Sequence, residues 1–122
     1  MQEKLLQFIW QYSLYNPSQL QTTNGEPITV VHPGRYNTNA GPDFLEAKVR
    51  VGDTLLAGHV ELHVNNSDWL KHGHQHDEAY RNVILHVVYN HDSDIGPAHT
   101  PVLELRNYIM PDVLLQYNAL MA

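Results

Sequence analysis

Residues 58–64 read Gly-His-Val-Glu-Leu-His-Val, which places a carboxylate, Glu61, between two imidazoles, His59 and His63. A period of two is a strand signature, because alternate side chains of a strand share a face. His59, Glu61 and His63 therefore lie on one face, and Val60, Leu62 and Val64 on the other, which is expected to be core. A second carboxylate, Asp43, follows Gly41-Pro42 at the expected start of the preceding strand. Hard divalent cations take oxygen ligands, typically one or two carboxylates, with water and substrate oxygens completing the shell. Opposed residues on antiparallel neighbours have Cβ atoms about 4.5–5.5 Å apart. Asp43 and Glu61 are thus candidate ligands for one Mg²⁺ or Mn²⁺, provided that their register matches. The backbone carbonyl of Leu62 is a candidate third ligand, and His63 a candidate base or phosphate-contacting group.

A second cluster, His72-Gly73-His74-Gln75-His76 followed by Asp77, carries the nitrogens that suit Zn²⁺ or Ni²⁺. Alternating histidines around a glycine do not fix three nitrogens on one centre, and a polar loop facing water accounts for the same residues. His72 and His74 stand as secondary metal candidates. Asp43 also has a plainer reading as a loop-to-strand cap accepting backbone N–H bonds, and Glu61 as part of a solvated strand face. A carboxylate flanked by two histidines in an otherwise apolar strand favours function for Glu61. His86, inside the apolar run 83–88, reads as a hydrogen-bonded core histidine. Trp69 and Tyr80 read as packing residues.

The elements that position these groups follow from periodicity. Leu5, Leu6, Phe8, Ile9, Trp10 and Tyr12 recur at helical spacing, so residues 3–14 are expected to form a helix that ends ahead of Asn16-Pro17. Asn24-Gly25 marks a turn before a short strand ending at His32, closed by Pro33-Gly34. Residues 35–42 are rich in turn formers and should be an ordered loop delivering Asp43. Residues 44–51 alternate, with Phe44, Glu46, Lys48 and Arg50 opposite in face to Leu45, Ala47, Val49 and Val51. Gly52-Asp53 then connects to an antiparallel neighbour beginning at Thr54. Ser67 is the expected N-cap of a short helical turn over 68–71. Residues 82–89 are the most apolar run and should be a central strand buried on both faces. A further strand is expected over 102–106, and a helix over 112–121 with Pro111 in its first turn. The order is that of an α/β protein with a mixed central sheet flanked by helices.

Length and charge narrow the functional classes. A chain of 122 residues fits one domain spanning 1–122. Without cysteine there is neither disulfide nor thiolate chemistry, and a cytoplasmic location is expected. No run approaches the roughly 20 apolar residues needed to cross a bilayer as a helix, so no membrane association is expected. A formal net charge of −6 argues against broad attraction to nucleic acid, which requires Lys and Arg. It leaves open a metal-dependent phosphodiesterase, whose cations offset the phosphate charge.

Pro42-Asp43, followed by Glu61-Leu62-His63 at the end of the next strand within an αβββαβ order, resembles the PD-(D/E)XK nuclease-like superfamily. The resemblance implies a restriction-endonuclease-like core in which Asp43 and Glu61 bind Mg²⁺ and nucleic acid is the substrate. The residue two beyond the second carboxylate, a lysine in that superfamily, is His63 here. A neutral imidazole can act as a base but does not reproduce a permanent ammonium. The superfamily also sometimes carries a glutamate on its first helix, and Glu3 is the candidate. More closely, residues 39–44, Val60-Glu61-Leu62-His63, Ser67-Asp68-Trp69 with His72-Gly73-His74, and Leu85-His86-Val87-Val88 resemble the N-terminal part of an uncharacterised bacterial family, a domain of unknown function common in Bacteroidetes. Members of that family are longer, which implies that this chain is an N-terminal portion, and a homo-oligomer is then expected through the surface left uncovered. The reading is a nuclease-like domain using Asp43, Glu61 and His63. The alternatives are a catalytically inactive binding or assembly module and a histidine-rich transition-metal site.

Overall fold

The apolar stripe near the N-terminus folds as α1 (Glu3–Gln11), which buries Leu5, Leu6, Ile9 and Trp10. The computed structural model describes residues 1–71, 73, 77–94 and 99–121; His72, His74 and His76 lie outside the described residues. The helix stops a turn earlier than Asn16-Pro17 would require. Ser13 takes a left-handed φ of 54°, its N–H donates to the Trp10 carbonyl (3.3 Å), and the Leu14 N–H donates to the Ile9 carbonyl (2.9 Å). This pair of bonds is a Schellman motif, which satisfies the last carbonyls of the helix before the proline is reached. Trp10 Nε1 donates to the Pro33 carbonyl at 3.0 Å and ties α1 to the strands that follow.

Those strands are β1 (Ile28–His32), β2 (Arg35–Tyr36), β3 (Phe44–Val51) and β4 (Thr54–Asn65). A short helix α2 (Asp68–Lys71) and a 3₁₀ turn (Glu78–Tyr80) lead to β5 (Val83–Asn90), then β6 (Val102–Glu104) and α3 (Asp112–Met121). The described strands make one mixed sheet in the order β1-β3-β4-β5-β6, with β2 paired to β3. The β1, β3 and β4 neighbours are antiparallel, while β4–β5 and β5–β6 are parallel. A parallel pair needs a crossover, and that connection carries α2 and the 3₁₀ turn over one face of β4. The sheet curls: the Ile28 N–H at one edge bonds the Leu20 carbonyl, and the Thr23 N–H bonds the Val102 carbonyl at the other edge, both at 2.9 Å. The mixed α/β class and the flanking helices agree with expectation. No helix among the described residues is long and apolar enough to cross a membrane.

Three local departures from the sequence reading matter for the site. The expected alternation of residues 44–51 puts Phe44 on the polar face, yet Phe44 is buried with Ala47, Val49 and Val51. The register shifts between Phe44 and Ala47, and Glu46 takes a φ of 58°, so a β-bulge moves Phe44 to the core side. Gly34 accommodates that bulge: a Cβ there would stand 2.8 Å from the Leu45 carbonyl oxygen. Secondly, Thr54 and the His59–His63 stretch belong to one 12-residue strand. Gly58 lets β5 close onto it, since a Cβ at this position would meet Ile84 Cγ2 at 2.5 Å and the Asn82 carbonyl at 2.6 Å. Thirdly, β6 ends at Glu104, two residues short of the expected 106. Ser67 does not cap α2 with its hydroxyl, which donates instead to Asp92 Oδ2 at 2.7 Å. The helix over 112–121 falls where the sequence placed it.

Candidate functional site

The antiparallel ladder between β3 and β4 runs out at the pair Phe44 and Val60. One residue further along each strand stand Asp43 and Glu61, and here side chains take over from the ladder. The Asp43 N–H donates to Glu61 Oε1 at 3.2 Å, and the Leu62 N–H donates to Asp43 Oδ2 at 2.8 Å. The register that the sequence left open therefore brings the two carboxylates together. A strand residue directs its N–H and C=O to the same side, so the Leu62 carbonyl lies on the edge that faces Asp43.

Asp43 is held from three directions. Gln7 Nε2, on α1, donates to Asp43 Oδ1 at 3.0 Å, and Tyr36 Oη donates to Gln7 Oε1 at 3.4 Å. The turn-rich loop ahead of Asp43 is ordered by Asn37, whose Nδ2 donates to the Pro42 carbonyl (2.9 Å) and whose N–H donates to the Asp43 carbonyl (2.8 Å). From the crossover, the Tyr80 hydroxyl donates to the Gly41 carbonyl at 3.1 Å.

The face of β4 that carries Glu61 is no solvated surface: Glu61 is 3 % exposed, His63 1 % and His86 0 %. The cover comes from the crossover, where Trp69 packs with its ring centroid 6.3 Å from His63 and 5.4 Å from His86, and Tyr80 packs on Trp69 at 5.8 Å. His59 turns away from this cluster and accepts a bond from the Glu46 N–H at the bulge (3.3 Å). His86 lies beside Glu61 across the parallel β4–β5 pairing. Its Nε2 is 2.8 Å from His63 Nδ1, the hydrogen-bonded core histidine that the sequence suggested, with His63 as its partner. His63 Nε2 faces Glu61 Oε2 at 3.7 Å, beyond hydrogen-bond length, so the two are electrostatic neighbours.

Burial is the main reason why the Glu61 carboxyl is pushed up to about 10, and the side-chain hydrogen bond and charge of Asp43 act in the same direction. Two carboxylates in contact away from water cannot both stay ionised without a positive charge between them. At neutral pH, Glu61 therefore keeps its proton. Burial and the charges of Glu61 and Asp43 also push the Tyr80 phenol up to about 12. Glu3 adds its negative charge at both Glu61 and Tyr80, but the α1 side chain that bonds Asp43 is Gln7, one turn further on.

The structure thus assembles Asp43, Glu61, the Leu62 carbonyl edge and His63, and adds Gln7, Tyr80 and His86. Gln7 was legible in principle, because it shares a helix face with Glu3 at i+4; for Tyr80 the sequence offered packing, or stacking on a base, and not its hydrogen bond to the Gly41 carbonyl. Among the described residues, no group of three or more His, Cys, Asp or Glu side chains converges to hold a metal ion. Two carboxylates and a carbonyl are the oxygen donors that the fold collects here, a hard donor set of the kind used with Mg²⁺, where water and substrate supply the remainder.

The model of a family described as "Protein of unknown function (DUF2851)" matches residues 3–122 of the chain. The chain belongs to the DUF2851 family. No curated protein and no solved structure matches it. Membership agrees with the resemblance to an uncharacterised family carried by residues 39–44 and 60–63, the two stretches that supply the paired carboxylates of this DUF2851 chain.

Proposed function

We propose that this DUF2851 chain is a nuclease-like, metal-dependent phosphodiesterase, with Asp43 and Glu61 as the ligands of Mg²⁺ or Mn²⁺ and residues 1–122 as one restriction-endonuclease-like unit. The observation that carries the reading is the meeting of the two carboxylates at the end of the β3–β4 ladder, with the Asp43 N–H 3.2 Å from Glu61 Oε1. Support for the reading comes from the order of elements, α1, antiparallel β1, β3 and β4, then a helical crossover to a parallel β5, which is the order that the resemblance to the PD-(D/E)XK superfamily implies. The same burial and Asp43 charge that push the Glu61 carboxyl up to about 10 are what a cation bound by the two carboxylates would offset. The donor set of Asp43, Glu61 and the Leu62 carbonyl fits a hard cation and leaves coordination positions for water and phosphate oxygens.

A bound divalent ion would polarise a phosphodiester and acidify its water ligand. The chain's own part is to hold and orient. Gln7 and the Leu62 N–H fix the Asp43 carboxylate, Asp43 in turn fixes Glu61, and His63 directs Nε2 towards Glu61 Oε2 at 3.7 Å. Trp69 and Tyr80 exclude water from the far side, which strengthens each electrostatic contact.

Calorimetric titration with MgCl₂ and MnCl₂ tests this reading, with cleavage of single- and double-stranded DNA and RNA as the second readout. Wild type should bind one divalent ion and Glu61→Gln should not. Absence of binding in wild type sinks the proposal. The second reading, a catalytically inactive binding or assembly module, has its own support: both Asp43 carboxylate oxygens already accept hydrogen bonds within the chain. It predicts no metal binding and a loss of stability on changing Asp43.

A further inference from the structure

We infer that the cavity framed by α1, β2 and α3, beside Asp43, is a stacking subsite for one unpaired base of a single-stranded nucleic acid. The inference deepens the proposed phosphodiesterase reading and rests on it for the identity of the strand. Helix α1 buries Leu5, Leu6, Ile9 and Trp10 in the core, which leaves Lys4, Gln7, Phe8 and Gln11 on an adjoining stripe at helical spacing. These four line a cavity of about 210 Å³ together with Tyr36 of β2 and Tyr117 of α3.

Three aromatic rings therefore wall the cavity, and each is held by a neighbour. Phe8 packs on Tyr12 at 5.0 Å and on Tyr117 at 5.8 Å between ring centroids. Tyr36 packs on the buried Phe44 at 5.6 Å and donates its hydroxyl to Gln7 Oε1 at 3.4 Å, yet it stays 44 % exposed. A fixed ring that keeps open surface loses little freedom when a flat ligand stacks on it. The volume suits one ring system, since sites for drug-sized ligands occupy roughly 300–1,000 Å³. The Gln11 amide offers a donor and an acceptor to the edge of a base, and Lys4 a positive charge to an adjoining phosphate. An aliphatic ligand of equal volume would use neither the ring faces nor these polar groups.

Gln7 joins the cavity to the paired carboxylates. Its Oε1 accepts from Tyr36 while its Nε2 donates to Asp43 Oδ1 at 3.0 Å, so the aromatic wall and the candidate metal ligand are one side chain apart. That adjacency lets a strand be held by its base while its phosphodiester meets the carboxylates. The net charge of −6 withholds the general attraction to phosphates on which most nucleic-acid binding depends, and stacking supplies affinity that needs no excess of Lys and Arg. Stacking also selects the form of the strand: paired bases are covered by their neighbours in a duplex, and an unpaired base presents its faces.

The test is a ¹⁵N–¹H correlation of the full chain at neutral pH with chelator present, titrated into the millimolar range with AMP and, separately, with ribose 5-phosphate, which keeps the sugar and phosphate without the base. AMP should shift the α1 resonances from Lys4 to Gln11 and the Gln11 side-chain amide in a saturable way, and ribose 5-phosphate should leave them in place. Tyr117→Leu, which keeps apolar bulk but no flat face, should weaken AMP binding roughly fivefold or more. A short oligo(dA) strand should shift the same resonances, and its duplex with oligo(dT) should not. An absence of AMP shifts, equal shifts from ribose 5-phosphate or from the duplex, or a Tyr117→Leu affinity equal to wild type overturns the inference. Shifts with AMP but none with oligo(dA) assign the cavity to a free nucleotide and overturn it as well. If Tyr117→Leu does not fold, the wild-type titrations decide. The phosphodiesterase reading fails separately, by an absence of Mg²⁺ and Mn²⁺ binding in calorimetry, whatever the nucleotide titrations show.

Discussion

Glu61→Gln should make the metal-free protein more stable at neutral pH, although it removes the central residue of the candidate site. The folded-state pKa of Glu61 is raised from 4.5 to about 10, with burial as the largest cause and Asp43 next. For a raised pKa, the contribution to stability is fully present below the unfolded value and is lost as pH rises towards the folded value. Between those limits, the folded protein holds one proton that the unfolded chain has released, so the folding equilibrium falls about tenfold per pH unit. At pH 7 the accumulated cost is about 3 kcal/mol, and this figure depends on the unfolded pKa and the pH alone as long as the folded value stays well above 7. Glutamine keeps the shape, accepts from the Asp43 N–H and donates an amide hydrogen to the Asp43 carboxylate, with no proton to retain. Urea titrations of both proteins in chelator at about pH 5, 6, 7 and 8, followed by circular dichroism, give the difference in stability, in which shared titrating groups cancel. That difference should rise with pH in favour of Glu61→Gln by roughly 1 kcal/mol or more per unit. A difference that stays flat, or a variant less stable than wild type at every pH, refutes the assignment of a buried, proton-holding Glu61.

Further expectations follow from the same geometry. Saturating Mn²⁺ should raise the wild-type midpoint of thermal unfolding by mass action and leave that of Glu61→Gln unchanged, as read by calorimetric scans. Gln7→Ala frees one oxygen of Asp43 without touching the core, so it should weaken Mn²⁺ binding in calorimetric titration while lowering stability by only about 1 kcal/mol. Gly34→Ala sets a Cβ 2.8 Å from the Leu45 carbonyl at a φ of 90°, and should cost roughly 1–3 kcal/mol in urea titrations. Leu62→Ala removes a side chain that is 0 % exposed, and should cost about 2–5 kcal/mol by the same measurement, through lost burial and the cavity left behind.

Much of the frame was legible because it depends on local periodicity. The helical stripe of residues 5–10, the β-branched run that becomes β5 and the Pro111 start of α3 each express a pattern that the backbone repeats every few residues. Residues 44–51 mark the limit of such patterns. Alternation assigns Phe44 to the polar face, but a single left-handed residue, Glu46 at 58°, inverts the assignment, and no rule of spacing announces a bulge. The end of α1 is similar, because a Schellman turn at Ser13 acts before the proline that the sequence displays.

The sequence by itself determined which groups are available: carboxylates at Asp43 and Glu61, imidazoles at His63 and His86, and a period of two that puts Glu61 and His63 on one face of a strand. Tertiary structure decided what those groups face. Strand register is a long-range property, set by how β3 meets β4 and β4 meets β5, and it brings Asp43 against Glu61 and His86 against His63 across 18 and 23 residues of chain. The crossover that parallel pairing demands then lays Trp69 over the same face and takes it out of water. That burial turns an ordinary acidic strand residue into a carboxyl that keeps its proton, an outcome governed by the dielectric around the group and not by its neighbours in sequence.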